Sequence, residues 1–319
     1  MIDDPVLIED WHPVARVDDL GRGGPVAVRL LGEDLVVWRS GETVHAWRDL
    51  CAHRGTRLSL GRIVDGERLE CPYHGWTYAA DGRCVLMPAH REQTPPIKAC
   101  ATVYRARCDY GVVWVTLGGG TRDLPRFALL DDPSHHVLAA GPYRVHASGP
   151  RIVENFLDVG HFPFVHGGIL GDRARPEIAD YEATLNDDGV LATGVKVFQP
   201  DPYATGKGST VTYTYRVHRP LSASFIKHGD HSFGMLLSVT PHDAVDSTAW
   251  MWMAMNYEPA TEMVAFQDRI FAQDQPILES QRPELLPLDL QAELHLRSDR
   301  TAIAYRRWLR QLGVRTGAH

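Results

Sequence analysis

Four residues in the first quarter of the chain pair two thiols with two imidazoles. Residues 51–54 read Cys-Ala-His-Arg, and residues 71–76 read Cys-Pro-Tyr-His-Gly-Trp. Thiolates and imidazoles are the side chains that bind zinc or an iron–sulfur cluster. The candidate metal ligands are therefore Cys51, His53, Cys71 and His74.

The single residue between Cys51 and His53 bears on the choice of metal. Paired ligands of a structural zinc ion usually lie at least two residues apart. In an extended segment, residues i and i+2 point the same way, so Cys51 and His53 can face one target and reach different atoms of it. This spacing favours a two-iron cluster in which one iron takes both cysteines and the other both histidines. Zinc held by all four residues is the alternative.

A second group of possible ligands follows at Asp158, His161 and His166. On a straight helix Asp158 and His161 would share a face, whereas His161 and His166 would lie about 140° apart. Pro163 removes an N–H group and disfavours helical geometry at Phe162, so we expect a kinked helix on which the imidazoles converge. Two histidines and one carboxylate form the triad of non-haem Fe(II) oxygenases, which leaves positions open for O₂ and substrate.

The elements that must position these residues fall into two regions. A length of 319 residues suggests two domains. Short runs rich in Val, Leu and Trp, separated by turn residues, predict a small all-β unit first. Three glycines and a proline at 118–125 mark the boundary, so we predict domains at 1–120 and 121–319. The predicted strands of the first domain are 26–31, 35–38, 43–47 and 112–117.

The second region mixes helices with strands. We predict a helix over 151–159 and another over 263–281, and strands at 211–217, 232–240 and 249–257. The strand at 249–257 is apolar on both faces, which is typical of a buried strand.

The last helix is expected to be capped by Ser298 and ended by Gly313. Its arginines, at 306, 307 and 310, are expected on a solvated face.

Composition limits the classes of function. Lys and Arg total 33 against 40 Asp and Glu, a net charge of −7, which argues against nucleic acid or an anionic membrane as the partner. No apolar run approaches the roughly 20 residues of a membrane helix. The acidic N-terminus lacks the order of a signal peptide, so we expect a cytoplasmic protein. Five cysteines do not form an even disulfide framework.

The string CAHR…CPYHGW resembles the Rieske [2Fe–2S] motif in composition and spacing. The resemblance implies that Cys51 and Cys71 bind one iron and that His53 and His74 bind the other. With the second ligand group, the chain resembles the catalytic subunit of a Rieske non-haem iron oxygenase from residue 11 to its last helix. This implies an α+β fold, with an all-β Rieske domain followed by a catalytic domain whose antiparallel sheet is flanked by helices (helix-grip type).

In that family the aspartate three residues before the first histidine is not the usual iron ligand. The resemblance gives Asp158 the role of bridging His161 to the Rieske ligand His74. The carboxylate ligand lies on a late helix, where Asp274 matches, with Asp268 and Glu279 as rivals. Many members carry an acidic residue just before this aspartate, and this chain has Gln273 instead.

Asn155 precedes Asp158 by about one turn. Support of the iron site and simple packing or capping are both open for it.

The resemblance also implies the reaction and its partners. O₂, two electrons and two protons would insert one oxygen atom into a small organic substrate and release water. The segment at 21–24 is not a dinucleotide-binding fingerprint, and no plant-type ferredoxin spacing appears. A separate NAD(P)H-dependent reductase, with or without a ferredoxin, is therefore expected. Members form head-to-tail rings, so we expect a homotrimer.

Two segments resemble the monooxygenase branch that includes vanillate, dicamba and methylxanthine demethylases and saxitoxin-pathway hydroxylases. They are 158–166 and 298–309. Hydroxylation or oxidative demethylation is the leading reaction, and substrate contacts are expected from 200–257. The alternatives are a ring-cis-dihydroxylating dioxygenase and a Rieske electron carrier without oxygenase activity.

Overall fold

A computed structural model describes residues 2–21, 24–202, 206–229 and 231–319. The described residues do not include 22 and 23, which belong to the segment at 21–24. They also do not include 203–205 and 230, which belong to the region 200–257 from which substrate contacts are expected. The chain divides into two compact units, Met1–Asp123 and Leu124–His319. No helix in the described part of the chain is long and apolar enough to cross a membrane.

The first unit contains two antiparallel sheets. The larger has the strand order β1-β10-β9-β4-β3-β2, and the smaller has the order β5-β6-β7-β8. The strands are β1 His12–Arg16, β2 Val26–Leu30, β3 Glu33–Ser40, β4 Thr43–Arg48, β5 Arg62–Val64, β6 Arg68–Glu70, β7 Thr77–Tyr78, β8 Cys84–Leu86, β9 Val103–Asp109 and β10 Val112–Thr116. A short helix α1, Pro5–Ile8, precedes them, and 3₁₀ turns lie at Val17–Gly21, Leu58–Leu60 and Pro88–His90.

The largest fully buried side chains in the core of the first unit are aromatic. Trp38, Trp47 and Trp114 are fully buried, as is Tyr78. The four predicted strands, which were runs rich in Val, Leu and Trp, recur here as β2, β3, β4 and β10. The smaller sheet has strands of only two or three residues, too short to give a periodic signal in the sequence.

The second unit is built on one seven-stranded antiparallel sheet of order β11-β17-β16-β15-β14-β13-β12. The strands are β11 His136–Val145, β12 Glu182–Asn186, β13 Gly189–Gln199, β14 Ser209–Arg219, β15 Ser222–His228, β16 Phe233–Pro241 and β17 Ser247–Met255. The helices are α2 Ala128–Asp131, α3 Gly149–Leu157, α4 Phe162–Val165, α5 Met263–Ser280 and α6 Arg300–Leu312, and a 3₁₀ turn lies at Arg297–Asp299. An all-β unit followed by a sheet with helices agrees with the predicted α+β class.

Every residue of β17 is buried, so the prediction of a strand covered on both faces is confirmed. Helix α5 packs on β11 and α3 on β15 and β16. The helix expected over 263–281 occurs as α5 and continues through Pro276.

The prediction for the last helix is wrong at its start. The N-cap is Asp299, not Ser298, because a 3₁₀ turn occupies Arg297–Asp299. The end is as predicted, with Gly313 in the left-handed conformation at φ 78°. Arg306 is also not on a solvated face, since it is 3% exposed and binds the Glu154 carboxylate.

Candidate metal centres

The four cluster-ligand candidates lie in two loops with the same backbone pattern. Cys51 and His53 follow β4, and Cys71 and His74 connect β6 to β7. In each loop the cysteine N–H donates to the carbonyl five residues on, at 2.8 Å. In each, a glycine four residues on donates its N–H to the cysteine carbonyl. The two glycines, Gly55 and Gly75, have φ of 72° and 68°, which side chains other than glycine rarely adopt.

The donor set of these loops fits a two-iron cluster. Both thiols are buried, and the rings of His53 and His74 stand 4.5 Å apart. Nδ1 of His53 is buried and has no hydrogen-bond partner among the described residues. An unpaired ring nitrogen beside two buried thiols is the arrangement that metal ligation would complete.

Other side chains pack around the two loops. The Tyr78 hydroxyl lies 3.1 Å from the Cys51 Sγ atom, a contact that the sequence motif did not reveal. Burial and the Cys51 thiol both raise the pKa of Tyr78, so the phenol keeps its proton. Trp76 stacks on His53 with ring centroids 4.4 Å apart.

The second ligand group occupies a break between two helices rather than a kinked helix. Helix α3 ends at Leu157, Asp158 is its C-cap in extended conformation, and α4 begins at Phe162. The expected sharing of one helical face by Asp158 and His161 is therefore wrong. The turn itself brings them together: Nδ1 of His161 lies 3.0 Å from the Asp158 carboxylate.

The structure gathers His161, His166 and Asp274 into one group whose ligand atoms all lie within 4.8 Å of one another. Oδ1 of Asp274 lies 3.4 Å from Nε2 of His161 and 3.1 Å from Nε2 of His166. Metal bonds of about 2.1 Å at right angles place ligand atoms about 3 Å apart. Two imidazoles and one carboxylate at these separations fit a ferrous ion.

The electrostatics of this group favour positive charge at its centre. Burial alone would lower the pKa of His161, but hydrogen bonds to Asp158 and Asp274 raise it to about 9. Burial would raise the pKa of Asp274, but hydrogen bonds to His161 and His166 lower it to about 2. A divalent cation would take the place of the proton that these groups share.

The far side of each ligand is also held. Nδ1–H of His166 donates to Oε1 of Gln273 at 2.8 Å, which leaves Nε2 free for a metal. Asn155 donates to Oδ1 of Asp274 at 3.4 Å, so it contacts the group rather than only packing near it.

The rival carboxylates lie elsewhere. Asp268 accepts a hydrogen bond from the Tyr143 hydroxyl, and Glu279 accepts from the His146 backbone and from Gln275. Neither belongs to the metal-ligand group found among the described residues.

Glycines support the histidine turn from outside. A Cβ atom on Gly171 would stand 2.4 Å from the backbone nitrogen of Pro163, and one on Gly167 would stand 2.9 Å from the Pro163 carbonyl. Only glycine lets the 167–171 loop pass this close to α4.

A buried ion-pair network, unforeseen from the sequence, fixes α3. Arg306 forms a two-bond pair with Glu154, at 2.6 and 2.7 Å, and also binds Glu293. Arg151 of α3 completes the network with a 2.8 Å bond to Glu293. Helix α3 is thereby tied to α6 one to two turns before Asp158.

A cavity of about 800 Å³ opens beside His161, His166 and Asp274. Its surface is largely apolar, as is usual for small-molecule sites. Rings from α3, α4 and the sheet form one wall, which we call the aromatic wall. Its members are Phe156, Phe162, Tyr213, Tyr215, Phe225 and Phe233.

Comparison with known proteins identifies one family in each of the two units. Residues 10–104 match the family model of the Rieske [2Fe-2S] domain, and residues 145–315 match the vanillate O-demethylase oxygenase C-terminal domain. The chain is 35% identical over 315 residues to methylxanthine N1-demethylase NdmA of Pseudomonas putida, covering 95% of this chain and 88% of the relative. It is 31% identical over 327 residues to methylxanthine N3-demethylase NdmB of the same organism, covering 95% and 89%.

A solved structure shows the same similarity. The Pseudomonas putida CBB5 NdmA QL mutant with theobromine matches this fold with a TM-score of 0.83 at 30% identity, over 96% of this chain and 90% of that chain.

Proposed function

The chain belongs to the Rieske non-haem iron oxygenases of the vanillate O-demethylase type, and from this premise we propose that it removes an N-methyl group from a planar, uncharged heterocycle of the methylxanthine kind. As a member, it is an oxidoreductase that uses a Rieske [2Fe–2S] cluster, a mononuclear iron and O₂ to hydroxylate or oxidatively demethylate a small organic substrate.

The cavity beside His161, His166 and Asp274 carries the choice of substrate. Flat rings pack favourably against aromatic side chains, and the aromatic wall offers six of them. The full-length relatives named above act on methylxanthines.

We assign the ligands by position. Cys51 and Cys71 would bind one iron of the cluster, and His53 and His74 the other. His161, His166 and Asp274 would hold the mononuclear iron. The bound iron would supply O₂ activation at the end of the cavity that these three side chains line.

The protein's own groups would then hold the substrate so that its N-methyl group faces this end. The reaction adds one oxygen atom to the methyl group and releases the other as water, consuming two electrons and two protons. The resulting N-hydroxymethyl compound breaks its C–N bond to give formaldehyde and the N–H product. Exclusion of water by the aromatic wall would protect the reaction from side chemistry.

Asp158 would couple the two metals. Its carboxylate accepts from His161 on one side and is 38% exposed, so a second imidazole can reach it. In a head-to-tail homotrimer that imidazole would be His74 of the adjacent subunit. A separate NAD(P)H-dependent reductase, directly or through a ferredoxin, would supply electrons to the cluster.

The test uses the iron-loaded protein with a surrogate reductase, NADH and O₂. Caffeine, theobromine and theophylline are supplied in turn, with vanillate as a methyl ether and naphthalene as a ring without methyl groups. We expect formaldehyde equal to the demethylated product from at least one xanthine. A cis-diol from naphthalene with no formaldehyde from any xanthine would overturn the proposal.

A further inference from the structure

Lys227 is the one half-buried lysine or arginine among the described residues that line the cavity. It lies on β15 two residues from Phe225, so both side chains face the same side of the sheet. In the register of the sheet it pairs with Tyr213 of β14 and with Phe233 of β16. A positive charge therefore lies between two members of the aromatic wall.

The Lys227 ammonium group is held at the surface of the cavity. Its Nζ donates to the Pro202 carbonyl at 2.8 Å, and both residues line the cavity. Burial lowers the pKa of Lys227 to about 8, so the charged form still predominates at pH 7. An ammonium carries three N–H donors and can bind a substrate oxygen while it keeps its bond to Pro202.

The other charged or titratable residues that line the cavity, outside the metal-ligand group, are all exposed to solvent. They are Asp201, His231, Glu258, Glu262 and Arg269. Water screens exposed charges more strongly than a half-buried one. Lys227 therefore determines the sign of the charge that a ligand meets on the aromatic wall.

The aromatic wall without this charge would accept two classes of ligand. Aromatic side chains pack against flat uncharged rings, and their faces also attract N-methylated cations. An ammonium fixed between two of the rings repels a cation and donates to an oxygen acceptor. Repulsion of the wrong ligand is a common source of specificity.

We propose that Lys227 is a specificity-determining residue that makes the cavity select uncharged rings with an oxygen acceptor and reject N-methylated cations. The inference rests on the proposed function in that the substrate enters this cavity. It deepens that proposal, because it assigns the preference for an uncharged heterocycle to one side chain.

The experiment compares two probes that share one ring and one N-methyl group. 1-Methyl-2-quinolone is uncharged and carries a carbonyl oxygen, whereas 1-methylquinolinium is a cation without an acceptor. Binding to the iron-loaded protein is measured by calorimetry without O₂. We expect the unaltered protein to bind the quinolone at least about tenfold more tightly than the quinolinium ion.

Three variants at Lys227 separate its charge from its donors. Lys227→Met removes both, and should weaken quinolone binding about tenfold and strengthen quinolinium binding about tenfold. Lys227→Gln keeps an N–H donor for Pro202, and should also gain affinity for the quinolinium ion but lose less for the quinolone. Lys227→Arg keeps the charge and should keep the preference.

Lys196→Met is the matched control for net charge. Lys196 is exposed on β13, next to Val195, which pairs with Tyr213, so it faces the other side of the sheet. The control should keep the preference of the unaltered protein.

The inference is overturned if the unaltered protein prefers the cation. It is also overturned if neither uncharged variant at Lys227 gains affinity for the cation, or if the control at Lys196 gains as much. Caffeine tests the proposed function separately. If the unaltered protein binds the quinolone but not caffeine, the methylxanthine-type substrate is rejected, whereas selection by Lys227 stands.

Discussion

The two candidate metal centres are assembled from the chain in opposite ways. The proposed cluster ligands come from two short loops of the first unit that repeat one backbone pattern, with glycine at the same step of each turn. The proposed iron ligands come from the α3–α4 connection and from α5, which lie far apart in the second unit's sequence. The first centre is shaped by local turn chemistry, whereas the second depends on how helices pack on a seven-stranded sheet.

The largest expected effect is the loss of the mononuclear iron while the cluster is retained. Asp274→Ala removes the only anion of the triad, so the mononuclear iron should be lost and turnover should fall below detection. The cluster should keep its visible spectrum, because its loops lie in a separately packed unit. Metal analysis should fall from three irons per chain to two.

The control for that variant is Asp268→Ala on the same helix. Its carboxylate accepts from Tyr143 and lies outside the triad, so three irons should remain. Loss of iron in the control, or retention of all three in Asp274→Ala, would move the ligand assignment. Loss of the cluster spectrum as well would show that the two centres are not independent.

The next prediction separates binding of the mononuclear iron from electron transfer between the two metals. Asp158→Asn keeps the size of the side chain but replaces one of two acceptor oxygens by a donor. The carboxamide presents an NH₂ donor, not an acceptor oxygen, to one of the two imidazoles, so we expect all three irons to be retained and turnover to fall by about 10- to 100-fold. Stopped-flow oxidation of the reduced cluster is the measurement that matters. An unchanged rate in the presence of substrate would exclude Asp158 from the electron path.

A smaller effect concerns the contact that sets His166. Gln273→Leu removes the acceptor of the His166 Nδ1–H group and should weaken Fe(II) binding by about tenfold. Gln273→Glu retains an acceptor and should bind Fe(II) at least as tightly as the unaltered protein. Competition with a chelator measures both affinities. Equal affinities for all three proteins would mean that the contact does not support the ligand.

The sequence predicts the first candidate centre more completely than the second. The loops of the first centre lie within residues 51–76, so residue type and spacing alone predict its four candidate ligands. In the second unit the sequence pointed to the long elements β14, β16, β17 and α5, because their patterns extend over many residues. It did not predict that Asp158 ends a helix, because the expected helix over 151–159 continued past this residue.

Arg306 and Asp274 show why other features of the second unit could not be predicted from local sequence. The helical pattern places Arg306 on a solvated face, yet it is buried and forms ion pairs with the carboxylates of Glu154 and Glu293. Nothing local in the sequence distinguishes Asp274 from Asp268, which lies on the same helix. Resemblance to a family chose Asp274, and packing then placed it against both histidines.

The smallest expected effect tests whether side chains also tune the first centre. Because the reduced cluster carries more negative charge, a hydrogen bond from Tyr78 to the Cys51 sulfur stabilises the reduced form. Tyr78→Phe should therefore lower the reduction potential, by about 50 mV from the worth of one such bond. Tyr73→Phe is the matched control, since Tyr73 is 63% exposed and an aromatic ring remains beside His74. Potentiometry followed by EPR gives both values. If both variants have the reduction potential of the unaltered protein, the Tyr78 hydroxyl does not tune the cluster. The two centres would then differ further, because side chains support the ligands of the iron centre but do not tune the cluster.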